Sequence, residues 1–364
     1  MLAAVLFLPV RAGAVSARRA YAVDAVSGRV LYEKNPTERS LIASTTKIMT
    51  ALIVCEQCNV LDRMRIPKEA VGIEGSSMYL KEGEILTLQE LLYGLMLSSG
   101  NDAAVALAEK TAGVTELFVE QMNNRARELG MQDTHFVNCT GLPAEGHVTS
   151  AWDIAVMSRE LIRRHPDIRR FTTIWMDTLR DGQFQLSNTN KLIRFYSGAT
   201  GLKTGFTSGA GYCLSASAMR DGMELIAVVM GAETSQSRNA ACKSLLDYGF
   251  ANFAVVSPDL SDCDNQILVR LGKDAGVSAV PEADMALLID KAQKSGVTSE
   301  VTLEPTVTAP VSRGQRLGTL TVKSGDLVLK EVPLVAAQEV ERLSYGEIYR
   351  MVLMRAAMAK TNAE

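Results

Sequence analysis

Three short strings in this sequence place hydroxyls beside an amine or an amide, at spacings that could carry out acyl transfer. The first is Ser44-Thr45-Thr46-Lys47, at the mouth of the apolar run LIASTTKIMTALIV (41–54). On a helix, residues three apart share a face, so Ser44 and Lys47 would be neighbours. A hydroxyl at a helix N-terminus sits among unsatisfied backbone N–H groups and the positive end of the dipole. An ammonium cannot accept a proton, so a basic lysine must have its pKa lowered by burial or by a nearby cation. Leu41, Ile42, Ile48, Met49 and Leu52 offer such surroundings. The plainer reading is a capping serine and a solvated lysine, and a chain of this length holds about one S-x-x-K by accident.

The second string is Ser99-Gly100-Asn101, between the end of one apolar helical pattern and the start of another. A tight loop there could hold a hydroxyl and a carboxamide rigidly in a cleft, although helix-capping chemistry alone explains it equally well. The spacing is cheap, since Ser237-Arg238-Asn239 also matches it. The third is Lys203-Thr204-Gly205, just before a hairpin signal. A cation beside a hydroxyl donor is a good receptor for a carboxylate, and a strand glycine often marks close approach of another backbone. A glycine-rich turn with an exposed lysine is the alternative.

Taken in order, S-x-x-K, S-x-N and K-T-G are the signature set of β-lactamases and penicillin-binding proteins. The surrounding stretches IASTTKIMTAL, GSSMYLKEGEILTLQELLYGLMLSSGNDAAVALAE, THFVNCTGL and GLKTGFTSGAGYCLSASA extend the likeness. The chain resembles the low-molecular-mass penicillin-binding proteins, the serine D-alanyl-D-alanine carboxypeptidases, over about 22–253. That resemblance implies a site in which Ser44 attacks the carbonyl between two terminal D-alanines of a peptidoglycan stem peptide. It implies that Lys47 takes the serine proton, Ser99 relays protons to the leaving amine and Asn101 holds the substrate amide. Lys203 and Thr204 of the Lys203-Thr204-Gly205 string would read the terminal carboxylate, with Lys203 also depressing the Lys47 pKa. The backbone N–H groups of Ser44 and Phe206 would form an oxyanion hole, and Arg238 would be a further carboxylate contact. Phe206 departs from relatives that carry a polar residue there. β-Lactams would acylate Ser44, and no cofactor or metal is expected. A β-lactamase is the nearest rival, but no E-x-x-L-N stretch lies between Asn101 and Lys203 to supply a deacylating glutamate. A non-enzymatic β-lactam or muropeptide sensor is the rival from another class, and a Ser-His-Asp protease finds little support in His135 and His147.

The elements that must position these residues read as α+β, an antiparallel sheet flanked by helices. RAYAVDAVSGRVLYEKN forms a hairpin turning at Ser27-Gly28, and GYCLSASAM and ELIAVVMGA form another around Arg220-Asp221-Gly222-Met223. Between them lie helical patterns at 44–58, 88–97, 102–111 and 115–129, with a last one at 237–248. This catalytic domain is expected over 20–253. Alternating apolar and polar residues then predict a small all-β domain at 256–335, followed by a C-terminal amphipathic helix at 338–360. That helix could lie on a membrane surface or pack on its own β-domain. LAAVLFLPV and the small-residue stretch ending at Ala17 look like a secretory signal peptide, 1–17, although no Lys or Arg precedes the apolar run. An extracytoplasmic location follows from that reading.

Composition sets the outer bounds. The 364 residues are 47% apolar and 22% charged with a net charge of −3, so no global charge argues for a nucleic-acid partner. IRRHPDIRR (162–170) reads as a solvated helix end. Six cysteines are scattered, and Cys55-x-x-Cys58 lacks the second pair or histidines that zinc needs. They read as small core residues, with a helical disulfide as the lesser alternative.

Overall fold

A computed structural model describes residues 15–258 and 265–361. Of the expected leader only 15–17 lie inside that range, and Cys263 lies outside it. The chain divides into two compact units, Met1–Asn252 and Phe253–Glu364.

In the first unit the expected N-terminal hairpin is β1 (Arg19–Asp24) and β2 (Val30–Lys34). The Asp24 carboxylate accepts hydrogen bonds from the Ser27 backbone and hydroxyl, and Gly28 takes the φ of +75° that the turn requires. Helices α1 (Lys47–Gln57), α2 (Leu88–Met96), α3 (Asn101–Ala112), α4 (Thr115–Glu128) and α5 (Ala151–Arg164) follow. The chain then returns to the sheet as β3 (Ala199–Thr207), β4 (Gly211–Arg220) and β5 (Met223–Ala232), and ends in α6 (Ser235–Asn252). Strand order is β2-β1-β5-β4-β3, with every neighbour antiparallel, so β3 is an edge strand.

Every residue of β5 is buried, and apart from Glu224, whose carboxylate pairs with Arg169, the strand is apolar because it is covered on both faces. The Ser215 hydroxyl of β4 bonds to Ser158 of α5, whereas Leu225 of β5 packs at Gly249 of α6. Ser215 is in register with Val228, three residues from Leu225. Side chains alternate along a strand, so α5 and α6 cover opposite faces. The α5 face holds the larger core and includes α1, whose residues 47–54 are all buried. A helix apolar all round belongs in the interior, and each buried Leu or Ile there contributes about 1.5–3 kcal/mol.

Helix α5 and the hairpin Met176–Leu179 with Phe184–Ser187 go beyond the sequence reading, which saw only the basic end of α5. Its start was marked by Ser150, whose hydroxyl accepts from the Asp153 N–H.

The second unit contains a six-stranded sheet with its own core of Ile267, Val277, Leu320, Val322 and Val332. The tail departs from expectation. Helix α7 runs Tyr345–Thr361, not from 338. Val340 is instead buried and bridges Val311, and Ser344 with Glu347 forms a capping box that fixes the helix start. Met351, Val352, Leu353 and Met354 are all exposed, so four successive residues around one turn leave no single apolar face there. Among the described residues no helix is long and apolar enough to cross a membrane.

At Gly249 a Cβ would lie 2.3 Å from Leu225 Cδ1. Gly249→Val is therefore expected to destabilise the first unit by about 1–3 kcal/mol, lowering its Tm by several degrees in a calorimetric scan.

Candidate active site

Ser44 sits in a 3₁₀ turn, Ala43–Thr46, that leads directly into α1, and it is the only residue of that turn not fully buried. Thr45 and Thr46 donate their hydroxyls back to the carbonyls of Ile42 and Ala43, which tightens the turn. Lys47, the first residue of α1, is completely buried. Its Nζ lies 3.1 Å from Ser44 Oγ, 2.6 Å from Asn101 Oδ1 and 2.6 Å from the Thr140 carbonyl oxygen. Neither carbonyl group can donate, so both accept from the amine. A neutral amine has two N–H donors and one lone pair. With both donors taken, the lone pair is left for the Ser44 hydroxyl.

Burial pulls the Lys47 pKa down to about 7, against the opposing influence of Cys139 and the Asp102 carboxylate. Lys203 stands close enough to couple electrostatically with Lys47, and a charge on either amine disfavours a charge on the other. Lys203 is itself fully buried and lowered well below its usual value, first by burial, then by the Lys47 charge and then by Arg238. Desolvation is the largest cause of the lowered Lys47 value, and no carboxylate bonds its amine.

Two glycines let other segments close around Ser44. A Cβ on Gly205 would lie 3.0 Å from the Ser44 nitrogen, so any larger residue there would push β3 and the turn apart by a few tenths of an ångström. Gly141, at φ +89°, would place a Cβ 2.1 Å from the Ala43 carbonyl oxygen. Lys203 and Gly205 share the face of β3 that looks toward Ser215 and α5, since Lys203 is in register with Ser215. The Lys203 amine donates to the Thr204 carbonyl, and the Thr204 hydroxyl donates to the Thr189 hydroxyl at 2.7 Å. Ser99 is buried at φ +65° in the loop between α2 and α3, two residues from Asn101. Arg238, from α6, is buried with its guanidinium 5.9 Å from the Tyr212 ring centre and its Nε donating to Asn239. The Phe206 side chain is 54% exposed and stacks on Tyr212, so it forms a rim and does not enter the Ser44–Lys47 contact.

Comparison with known proteins places the chain in a family. The sequence profile of the D-alanyl-D-alanine carboxypeptidase family matches residues 8–234, and that of the penicillin-binding protein 5 C-terminal domain matches 263–342. The chain belongs to the D-alanyl-D-alanine carboxypeptidase family. It is 38% identical over 339 residues to the D-alanyl-D-alanine carboxypeptidase DacF of Bacillus subtilis, covering 90% of this chain and 87% of that one. It is 33% identical to DacC of Escherichia coli, covering 95% and 90% of the two chains. Penicillin-binding protein 5 of Haemophilus influenzae superposes with a TM-score of 0.75 at 30% identity, covering 92% of this chain and all of that one. This carboxypeptidase therefore has the architecture of a low-molecular-mass penicillin-binding protein.

Several residues that organise the carboxypeptidase site escaped the sequence reading. The Asp102 carboxylate accepts from the backbone N–H groups of Met78 and Leu80 and from the Ser77 hydroxyl. This ties loop 76–80 to α3, whose first residue, Asn101, donates its amide to the Glu74 carbonyl and so turns its oxygen toward Lys47. Asn138 Oδ1 accepts from the N–H groups of Thr140 and Gly141, shaping the loop that presents the Thr140 carbonyl. Asn190 ties to the Gly201 carbonyl of β3. The available signal was FVNCTGL, an asparagine and a glycine flanking the hydroxyl residue. His147 is structural: its Nδ1 accepts from the Val137 N–H, its Nε2 faces the Thr46 hydroxyl, and burial lowers its pKa to about 4.

Lys47 is expected to titrate near pH 7 in a side-chain ¹⁵N NMR experiment, while exposed lysines titrate near 10.4. Because the folded value lies below the unfolded one, the unfolded chain binds more protons between those limits. Stability from this group is then fully present above the unfolded pKa and lost as pH falls through about 7.

Proposed function

We propose that this chain hydrolyses the terminal peptide bond of stem peptides ending in D-alanyl-D-alanine, through an acyl-enzyme on Ser44. The single observation that carries the residue assignment is the Lys47 amine, buried and held by two carbonyls with its remaining valence toward Ser44 Oγ. In this reading Lys47 accepts the serine proton as the hydroxyl attacks, and the proton passes to the leaving amine with Ser99 as relay. The backbone N–H groups of Ser44 and Phe206 stabilise the oxyanion, each donor contributing about 3–4 kcal/mol. Asn101 holds the substrate amide. The terminal carboxylate lies against Lys203, Thr204 and Arg238, where an anion supplies the counter-charge that these two buried basic groups otherwise lack. Gly205 keeps β3 close enough for that contact. The substrate carboxylate would thereby restore the charged form of Lys203, so recognition and ionisation are coupled.

The sensor and β-lactamase readings separate from this one in a single experiment. D-alanine release from an acylated Lys-D-Ala-D-Ala tripeptide is expected to rise with pH through a limb near 7 and to vanish in Ser44→Ala. Benzylpenicillin is expected to leave a long-lived adduct on Ser44 in intact-mass spectra. Rapid multiple turnover of penicillin favours a β-lactamase, and an adduct without D-alanine release favours a sensor.

We also infer an extracytoplasmic location, from the leader-like residues 1–17, and contact of α7 with a membrane surface, from its exposed Met351–Met354 turn and Tyr349. The chain without 345–361 is expected to lose sedimentation with anionic phospholipid vesicles that the whole chain retains.

A further inference from the structure

The end of α1 opposite Ser44 carries two thiols, Cys55 in the last turn and Cys58 as its cap. Cys139, Cys213 and Cys242 are buried, whereas Cys55 and Cys58 are both partly exposed and free. Both line one cavity of about 290 Å³, whose wall also carries Arg164, His165 and Arg170, with Asp167 as the opposing charge. The Cys58 sulfur has the Thr111 hydroxyl at 3.5 Å, and Cys55 and Cys58 are close enough to influence each other electrostatically. Side chains three apart on a helix have Cβ atoms about 5–6 Å apart, whereas a disulfide needs about 3.5–4.5 Å. The backbone at Cys58 has already left the helix, at φ −121° and ψ 149°, so the closing movement falls on the residue freest to make it.

We propose that Cys55 and Cys58 form a thiol–disulfide exchange site, closed to a disulfide by a small anionic disulfide such as oxidised glutathione admitted to this cavity. The cationic wall suits the carboxylates of such a molecule. Cys58, where the backbone has left the helix and is free to move, is the attacking group, and Cys55, whose thiol burial pushes up to about 12, is the resolving one. The Cys58 thiolate displaces one glutathione, which leaves as a thiol after taking a proton, and a mixed disulfide forms on Cys58. Cys55 then gives its proton to solvent and displaces the second glutathione. Two protein thiols lose two electrons and two protons, and one glutathione disulfide gains them. The site lies on α1 but away from the Ser44–Lys47 contact, and the proposal is independent of the activity above.

The test exposes the folded full chain to oxidised glutathione, blocks remaining thiols with N-ethylmaleimide and maps the peptide spanning 48–63. The expected product is that peptide unlabelled and lighter by two hydrogens, formed at least about ten-fold faster than modification of Cys139, Cys213 or Cys242. Cys55→Ser is expected to hold a persistent glutathione on Cys58. The oxidised wild type is expected to gain a few degrees in Tm that Cys55→Ser does not gain. Maleimide on both cysteines after oxidation, a bridge from either to Cys263, or no adduct on the variant overturns the proposal.

Discussion

The site depends on a lysine amine kept from water without an ion partner. Moving the Lys47 pKa from 10.5 to about 7 represents on the order of 5 kcal/mol in the balance between its charged and neutral forms. An isolated buried charge would be untenable, and an isolated buried amine would waste its donors. The carbonyls of Asn101 and Thr140 resolve both difficulties, because they satisfy the amine in either state. Protonated, Lys47 has three donors for three oxygen neighbours; neutral, it has two donors and a lone pair for the same three. The arrangement changes little as a proton comes and goes, which is the preorganisation a proton shuttle needs.

Three segments distant in sequence must meet to build that environment, and each is fixed by backbone chemistry more than by side-chain packing. The Asn101 segment is fastened through Asp102 to loop 76–80, the Thr140 segment by Asn138, and β3 by its place in the sheet with help from Asn190. The 3₁₀ turn of Ser44 is enclosed by Gly141 and Gly205, where no side chain fits without moving the backbone. The glycine of the K-T-G string is thus there for contact with the peptide of Ser44 itself, and its neighbours Lys203 and Thr204 supply polarity around it.

Most of the first unit could be read from pattern because its signals are local. The hairpins follow from turn residues between alternating or apolar runs, and α2 to α4 from periodicity and caps. Helix α5 was missed although Ile154, Met157, Leu161 and Ile162 recur at helical spacing on one buried face. The tail was extended too far toward its N-terminus because Val340 and Leu343 suit a helix face as well as a bridge, and only pairing with Val311 distinguishes the two. In the site, Ser44, Lys47, Asn101 and Lys203 stood out by type and spacing. Thr140 did not, because it acts through a carbonyl that every residue possesses. Thr189 was equally silent, since its partner lies fifteen residues away across a turn.

The position of β3 at the sheet margin has a cost as well as a use. An edge strand presents an unpaired row of backbone donors and acceptors to any stray strand, and such edges are where β-proteins self-associate. Proline or a long bulge would blunt that hazard but would also shift Gly205 from the Ser44 turn. Lys203 gives no charged guard there, because it is fully buried and burial disfavours its charged form. The same closeness of Gly205 to the Ser44 turn that shapes this strand therefore leaves its outer margin open to pairing.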